Sequence, residues 1–272
     1  MGTGVNKQAS RFIGTIPEHY DRFLGPRLFS PFAEDLAARV AQRKPSSVLE
    51  LAAGTGIVTR KLRDQLPVNC TLTASDLNQP MLDMAMSKFE DEENVVFQTA
   101  DASQLIFDDA QFDCVVCQFG VMFFPDKQQS YEEVLRVLRP GGHYIFNVWG
   151  AWASNSFAEI AHNTVTGFFP DNPPGFYRVP FSYHDLAAIA ESMLRAGFAN
   201  LVAEPVTIRA SIPSILDLAT GLVFGNPLHE EIISRDGDPD EICAAVADAL
   251  ERDLGTSMSL HALVIAAEKP TI

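Results

Sequence analysis

The chain has 272 residues, 47% of them hydrophobic and 20% charged, a balance that excludes a disordered polymer and suffices for one sizeable core. Its formal net charge of -15 at pH 7 argues against nucleic acid or an anionic membrane as a partner, since both call for clustered Lys and Arg. A small neutral or cationic molecule is easier to accommodate.

The opening fifteen or so residues are small or polar and read as loose. Next comes HYDRFLGP, too aromatic for a solvated tail, which is expected to fold over something apolar. From Pro31 an amphipathic helix follows, with Phe32, Leu36 and Val40 on one face and a stop at Pro45. The run Val48-Leu49-Glu50-Leu51 reads as a buried strand that breaks off in Ala52, Ala53, Gly54, Thr55 and Gly56, and a helical pattern starts at Ile57. Strand, small-residue turn and helix in this order let backbone approach a ligand closely, because glycine has no Cβ to hold it away. A dinucleotide fingerprint would place a third glycine where Thr59 stands, so a nicotinamide oxidoreductase is disfavoured; no Tyr-x-x-x-Lys pair supports one either.

The stretch E-L-A-A-G-T-G resembles the first motif of class I S-adenosylmethionine (SAM) dependent methyltransferases. In that family the acid, here Glu50, helps orient the methionine end of the cofactor, partly through water. Backbone at Ala52, Gly54 and Gly56 approaches the same moiety. The resemblance extends over about residues 10 to 150 and is closest to the ubiquinone and menaquinone biosynthesis type of small-molecule methyltransferase. It makes Tyr20, in the pair Y-D, a candidate lid residue over SAM, with an ordinary packing aromatic as the open alternative.

Further along, CTLTASD reads as a second strand ending in Asp76, 22 positions beyond Gly54, a spacing at which a carboxylate accepts both hydroxyls of a ribose. Leu77 and Met81 follow it and would flank the adenine ring; Met84 and Met86 read as packing. NQPMLDMAMSKF is a helix from near Pro80. NVVFQTA, a third strand, ends in Asp101-Ala102, which resembles the motif whose acid takes the adenine amino group while the next N–H meets a ring nitrogen. A helix cap or solvated loop residue is the plain alternative for Asp101.

The fourth strand, FDCVVCQFG, opens with Asp113 and closes at Gln118 and Phe119; with Phe123 and Phe124 these are expected at the reaction space or its rim. Alternation sends Cys114 and Cys117 to opposite faces of the strand, so the four cysteines read as core thiols of a reducing cytosol, and no metal is expected. A helix then leads to Arg139-Pro140-Gly141-Gly142, which reads as a turn into a fifth strand. Residues 151–182 are dense in Trp, Phe, Pro and Tyr, and 211–255 form a helical insertion; both are expected as caps on the substrate side. A sixth strand, NLVAEPVTIRA, pairs with an antiparallel final strand.

The expected fold is therefore α/β, a Rossmann-like doubly wound seven-stranded sheet, mostly parallel with an antiparallel last strand and helices on both faces. One domain covers 1–272, with 28–150 as its cofactor-binding core. The resemblance implies SAM as cofactor and methyl transfer to a small-molecule acceptor; it allows a homodimer and also a non-catalytic SAM binder or partner subunit. With no apolar run long enough to span a bilayer and the cysteines read as core thiols, no membrane insertion and a cytoplasmic location are expected. The abundance of Phe leans toward a hydrophobic or aromatic acceptor. His162, His184, His229 and His261 would serve as bases if one is needed, His19 and His143 less readily, and no single residue is nominated as catalytic.

Overall fold

Residues 9–271 are described by a computed structural model. Seven strands form one sheet: β1 Ser47–Leu51, β2 Thr71–Asp76, β3 Val95–Thr99, β4 Phe112–Gln118, β5 Leu138–Trp149, β6 Ala199–Ser211 and β7 Ser257–Glu268. Their order is β3-β2-β1-β4-β5-β7-β6. The pairings from β3 through β5 are parallel, and β7 runs antiparallel to both its neighbours, β5 and β6. The near-continuous apolar run of β1 follows from this arrangement, since a central parallel strand is covered on both faces.

Helix α1 (Ser30–Gln42) and α2 (Ile57–Gln65) bury Leu36, Val40, Val58 and Leu62 on one face of the sheet, against Val48, Leu72, Cys114 and Val116. The helix α3 (Gln79–Met86) follows β2 and buries Met81, Leu82 and Ala85. On the opposite face α4 (Lys127–Val137) and α6 (Leu186–Ala196) contribute Tyr131, Val134, Ile189 and Met193, and Cys117 points to this side. Cys114 and Cys117 thus face opposite ways, as strand alternation requires. Between α4 and α6 lies α5 (Ser156–Gly167); between β6 and β7 lie α7 (Ile215–Phe224), α8 (Leu228–Ile233) and α9 (Pro239–Leu254). Helix α9 packs on α7 and α5, so the two expected insertions form one layer.

Two expectations are corrected. Residues 9–15 are not loose: Ala9 is buried, Asn78 Nδ2 donates to the Ser10 carbonyl, and Phe12 packs edge-on to Tyr20. Residues 1–8 lie outside the described residues. The stretch Arg139 to Gly142 is not a turn before β5 but part of it: Phe112 pairs with Leu138, Cys114 with His143, and the extra residues bulge between. Gly141 at φ +78 and Gly142, where a Cβ would stand 2.8 Å from the Arg139 carbonyl and 3.0 Å from that of Asp113, allow this close passage. Asp113 ties the start of β4 to β1 by accepting the Ser46 and Ser47 N–H groups and pairing with Arg139 at 2.6 Å. Among the described residues no helix is long and apolar enough to cross a membrane.

Candidate functional site

The carboxyl ends of β1 and β4 meet in backbone that ordinary residues rarely adopt. Ala52 has φ 51 and Phe119 φ 49, both left-handed. Phe119 is held there by its N–H, which donates to the side-chain and main-chain oxygens of Asn147 at 2.9 and 3.2 Å, and by its ring, stacked 4.1 Å from Trp149. Gly120 beside it could carry no side chain, because a Cβ would stand 2.5 Å from that of Ala52. Strained residues of this kind persist where surrounding contacts over-determine them, typically beside binding sites.

Asp76 ends β2 and is buried. Its Oδ2 accepts the Gly54 N–H at 2.9 Å and its Oδ1 the Asn78 N–H at 2.8 Å. Oδ1 also accepts from Asn78 Nδ2 at 3.2 Å; burial raises the pKa while these hydrogen bonds hold it down, and Oδ2 keeps a lone pair for a further donor. Glu50 is 1% exposed, with Oε2 lacking any hydrogen-bond partner. Burial pushes its pKa up to about 8, and nearby Asp76 adds to the rise while Thr59 opposes it. Glu50 lines a pocket of about 20 Å³ beneath the glycine turn, shared with Tyr20, Ala52, Gly54 and Gln118. That is space for about one water.

A single cavity of about 250 Å³ lies above these strand ends. Of the twelve residues singled out from the sequence, it is lined by ten: Tyr20, Ala52, Gly54, Asp76, Leu77, Met81, Asp101, Ala102, Gln118 and Phe119. Glu50 sits below it. Gly56, at φ +82, is set against α3 instead, where a Cβ would come within 3.0 Å of that of Ala85. Tyr20 begins a wide π-helical segment, Tyr20–Phe29, and its ring stacks on Phe29 at 4.7 Å. Leu77 is 55% exposed at the rim. Asp101 accepts the Ser103 N–H at 2.8 Å in the turn after β3 and also borders the cavity. Gln118 donates to the Phe29 carbonyl at 3.2 Å, which joins β4 to the π-helical segment.

Aromatic rings form much of the rest of the cavity wall. Phe123, Phe124 and Trp149 line it, joined from the aromatic segment 151–182 by Phe157, Phe176 and Phe181, while Trp152, Phe168 and Phe169 of that segment are not among the lining residues. The sequence reading missed Phe12, Asn78, Leu222 and Asn226, which also line it; for Asn226 the only local signal is an Asn-Pro turn. Among the described residues that line it there is no histidine, lysine or arginine. His162 lies edge-on to Trp152, His184 contacts the Phe181 carbonyl, His261 contacts Thr207 and His229 lies beside Glu230.

Residues 48–142 match a family model described as a methyltransferase domain. A demethylmenaquinone methyltransferase of Deinococcus radiodurans is 34% identical over 125 residues, 46% of this chain and 52% of that protein. A ubiquinone/menaquinone biosynthesis C-methyltransferase of Hahella chejuensis is 35% identical over 122 residues, 44% of this chain and 48% of the other. The matched part therefore spans about half the length of these relatives. Among solved structures, YcgJ of Bacillus subtilis aligns with a TM-score of 0.58 at 19% identity over 88% of this chain and 99% of that one. Phosphoethanolamine N-methyltransferase 2 of Haemonchus contortus, solved with phosphomonomethylethanolamine and S-adenosylhomocysteine, aligns with a TM-score of 0.61 at 17% identity over 98% of this chain and 61% of that one. At such identities the likeness is one of fold.

Proposed function

We propose, from the premise that residues 48–142 are a SAM-dependent methyltransferase domain of class I, that this chain transfers the cofactor's methyl group to a small hydrophobic or aromatic acceptor by direct displacement. The observation that carries the reading is one continuous cavity, with the glycine turn and Asp76 at one part of its wall and a lining of phenylalanine and tryptophan at another.

The residues fit the cofactor. The unpartnered, buried Glu50 oxygen and the water-sized pocket beneath Gly54 suit a charged amino-acid end reached partly through water. Asp76 Oδ2 retains a lone pair for a ribose hydroxyl, and Asp101 with the Ala102 N–H suits an adenine edge flanked by Leu77 and Met81. Tyr20, Gln118 and Phe119 close the methionine side. The bound cofactor supplies an activated methyl on a sulfonium with a neutral leaving group. The chain's own contribution in this reading is alignment and exclusion of water; among the described lining residues none is a cationic or imidazole base.

Titration calorimetry with SAM, and separately with NADH, tests the cofactor, followed by a screen of acceptors with methyl-labelled SAM. The expected result is micromolar binding of SAM alone and label transfer to an apolar acceptor. Binding of neither by the folded protein would remove the reading, and SAM binding without transfer to any acceptor would favour a non-catalytic binder.

A further inference from the structure

One short segment brings Phe176, Tyr177, Pro180 and Phe181 to the cavity wall. Two prolines precede it, Pro173 and Pro174, and neither has an N–H by which the chain could be held. The next two N–H groups go to one carboxylate: Glu231 Oε2 accepts that of Gly175 at 2.7 Å and that of Phe176 at 3.2 Å. Glu231 stands on α8, is 5% exposed, and lines neither the cavity nor the small pocket beneath the glycine turn. We infer that Glu231 is a positioning residue for the methyl acceptor: from outside the cavity it fixes, through two main-chain N–H groups, where Phe176 and Tyr177 stand in the wall. This rests on the methyltransferase reading and deepens it.

A buried carboxylate is costly unless donors meet it, and a buried N–H is costly unless an acceptor meets it. Here each meets the other. The grip has a direction that ring contacts alone lack, because hydrophobic burial is non-directional. Arg235, just past the end of α8, extends it: Nε donates to the Asn172 carbonyl at 2.8 Å and Nη1 to the Glu231 carbonyl at 2.7 Å, so the loop is held on both sides of the two prolines. Further along the segment, the Tyr177 hydroxyl donates to the Leu222 carbonyl on α7 at 2.7 Å, where Asn226 Nδ2 also donates at 2.9 Å. Phe176 itself stacks 6.2 Å from Phe123. Direct displacement needs the acceptor atom within about 3 to 3.5 Å of the methyl and in line with it. A wall held by its backbone gives an apolar acceptor one seat; a wall free to slide gives it several.

A purely structural role is the rival, with Glu231 fastening the loop and leaving the cavity as it is. The two roles separate by titrating N-phenyl-1-naphthylamine, an uncharged apolar fluorophore, into protein saturated with S-adenosylhomocysteine, with S-adenosylhomocysteine affinity and Tm measured beside it. The unmodified protein should bind the probe, and Phe176→Ala should weaken that binding, which locates the probe at this wall. Glu231→Leu should bind the probe about tenfold more weakly, and Glu231→Gln, which keeps one accepting oxygen, about threefold, the scale of hydrogen bonds lost from a charged acceptor. Both should keep S-adenosylhomocysteine affinity within about twofold. A structural glutamate would lower Tm and leave probe affinity unchanged in the folded variants. That result, a parallel loss of probe and S-adenosylhomocysteine affinity in Glu231→Gln, or a probe that does not bind or is indifferent to Phe176, overturns the inference. If Glu231→Leu does not fold, Glu231→Gln decides alone. If the unmodified protein does not bind S-adenosylhomocysteine, the cofactor reading falls and takes the inference with it.

Discussion

Asp76 and Gly54 are joined directly: the carboxylate at the end of β2 accepts the N–H of the glycine turn that follows β1, at 2.9 Å. Two features that are separate cofactor signals in the sequence are therefore one mechanical unit. Removal of the carboxylate acts on both.

Asp76→Ala should weaken SAM binding by about 1 to 3 kcal/mol, the scale of losing hydrogen bonds to a charged acceptor. Asp76→Asn, which keeps one oxygen for Gly54 or Asn78 but loses the charge and one acceptor oxygen, should fall between. Calorimetry on folded variants measures both, and unchanged affinity in the alanine variant would withdraw the ribose assignment.

Glu50 provides a pH dependence with a definite sign. Its folded pKa, about 8, lies above the ordinary value of 4.5, so the folded state binds more protons than the unfolded one between those limits. Stability of the ligand-free protein should fall as pH rises through that window, and the raised pKa of Asp76 acts in the same direction. Glu50→Gln should flatten the decline in Tm between about pH 5 and 8. A cationic ammonium seated near Glu50 would ionise it, so SAM binding near pH 7 should release most of one proton, read from calorimetry in buffers of differing ionisation enthalpy. An equal release by Glu50→Gln would assign the proton elsewhere.

Gly120→Ala puts a methyl 2.5 Å from the Ala52 Cβ and 2.7 Å from Cys117 Sγ. Neither neighbour has a flexible end to yield, so the chain should lose about 1 to 3 kcal/mol of stability in urea unfolding. SAM affinity should drop as well, because the displaced residue opens the glycine turn. A variant as stable as the parent would mean that the two strand ends move apart freely.

Lys88 binds both the Asp21 carboxylate and the Thr55 carbonyl, and the Thr55 hydroxyl donates to Asp21 at 2.7 Å. This latch joins the glycine turn to the residue after Tyr20. Lys88→Met and Asp21→Asn should each reduce SAM affinity by up to about 1 kcal/mol, the range for partly exposed ion pairs, with little change in Tm. The double variant should cost less than the sum, as coupled partners do. Strict additivity would dissolve the latch.

What was legible in the sequence is what short stretches decide. The alternation of strands and helices, the antiparallel final strand, and the positions of Asp76, Asp101 and Gln118 on the cavity wall follow from strand ends that carry their own cavity-lining residues. Gly56 illustrates the limit. Its spacing fits a cofactor turn, yet contact with Ala85, 29 positions later, decides where it points. Asn226 and Tyr177 could not be read as a pair, because they meet only when α7 folds over a loop about fifty residues earlier. Leu222 carries the carbonyl that unites them, and a backbone atom leaves no mark in a sequence.

Strand β7 is made after β6, yet it sits between β6 and β5. Order of synthesis and order of pairing therefore disagree. Strand β6 finds no neighbour in the sheet until residues 257–268 have emerged, and three helices must be threaded in before that happens. On the ribosome, β5 and β6 would each expose an open edge together. Closure of the sheet is a late, long-range event that also draws α7 and Asn226 over the cavity, so a nascent chain completes the five parallel strands well before the cavity has its full wall.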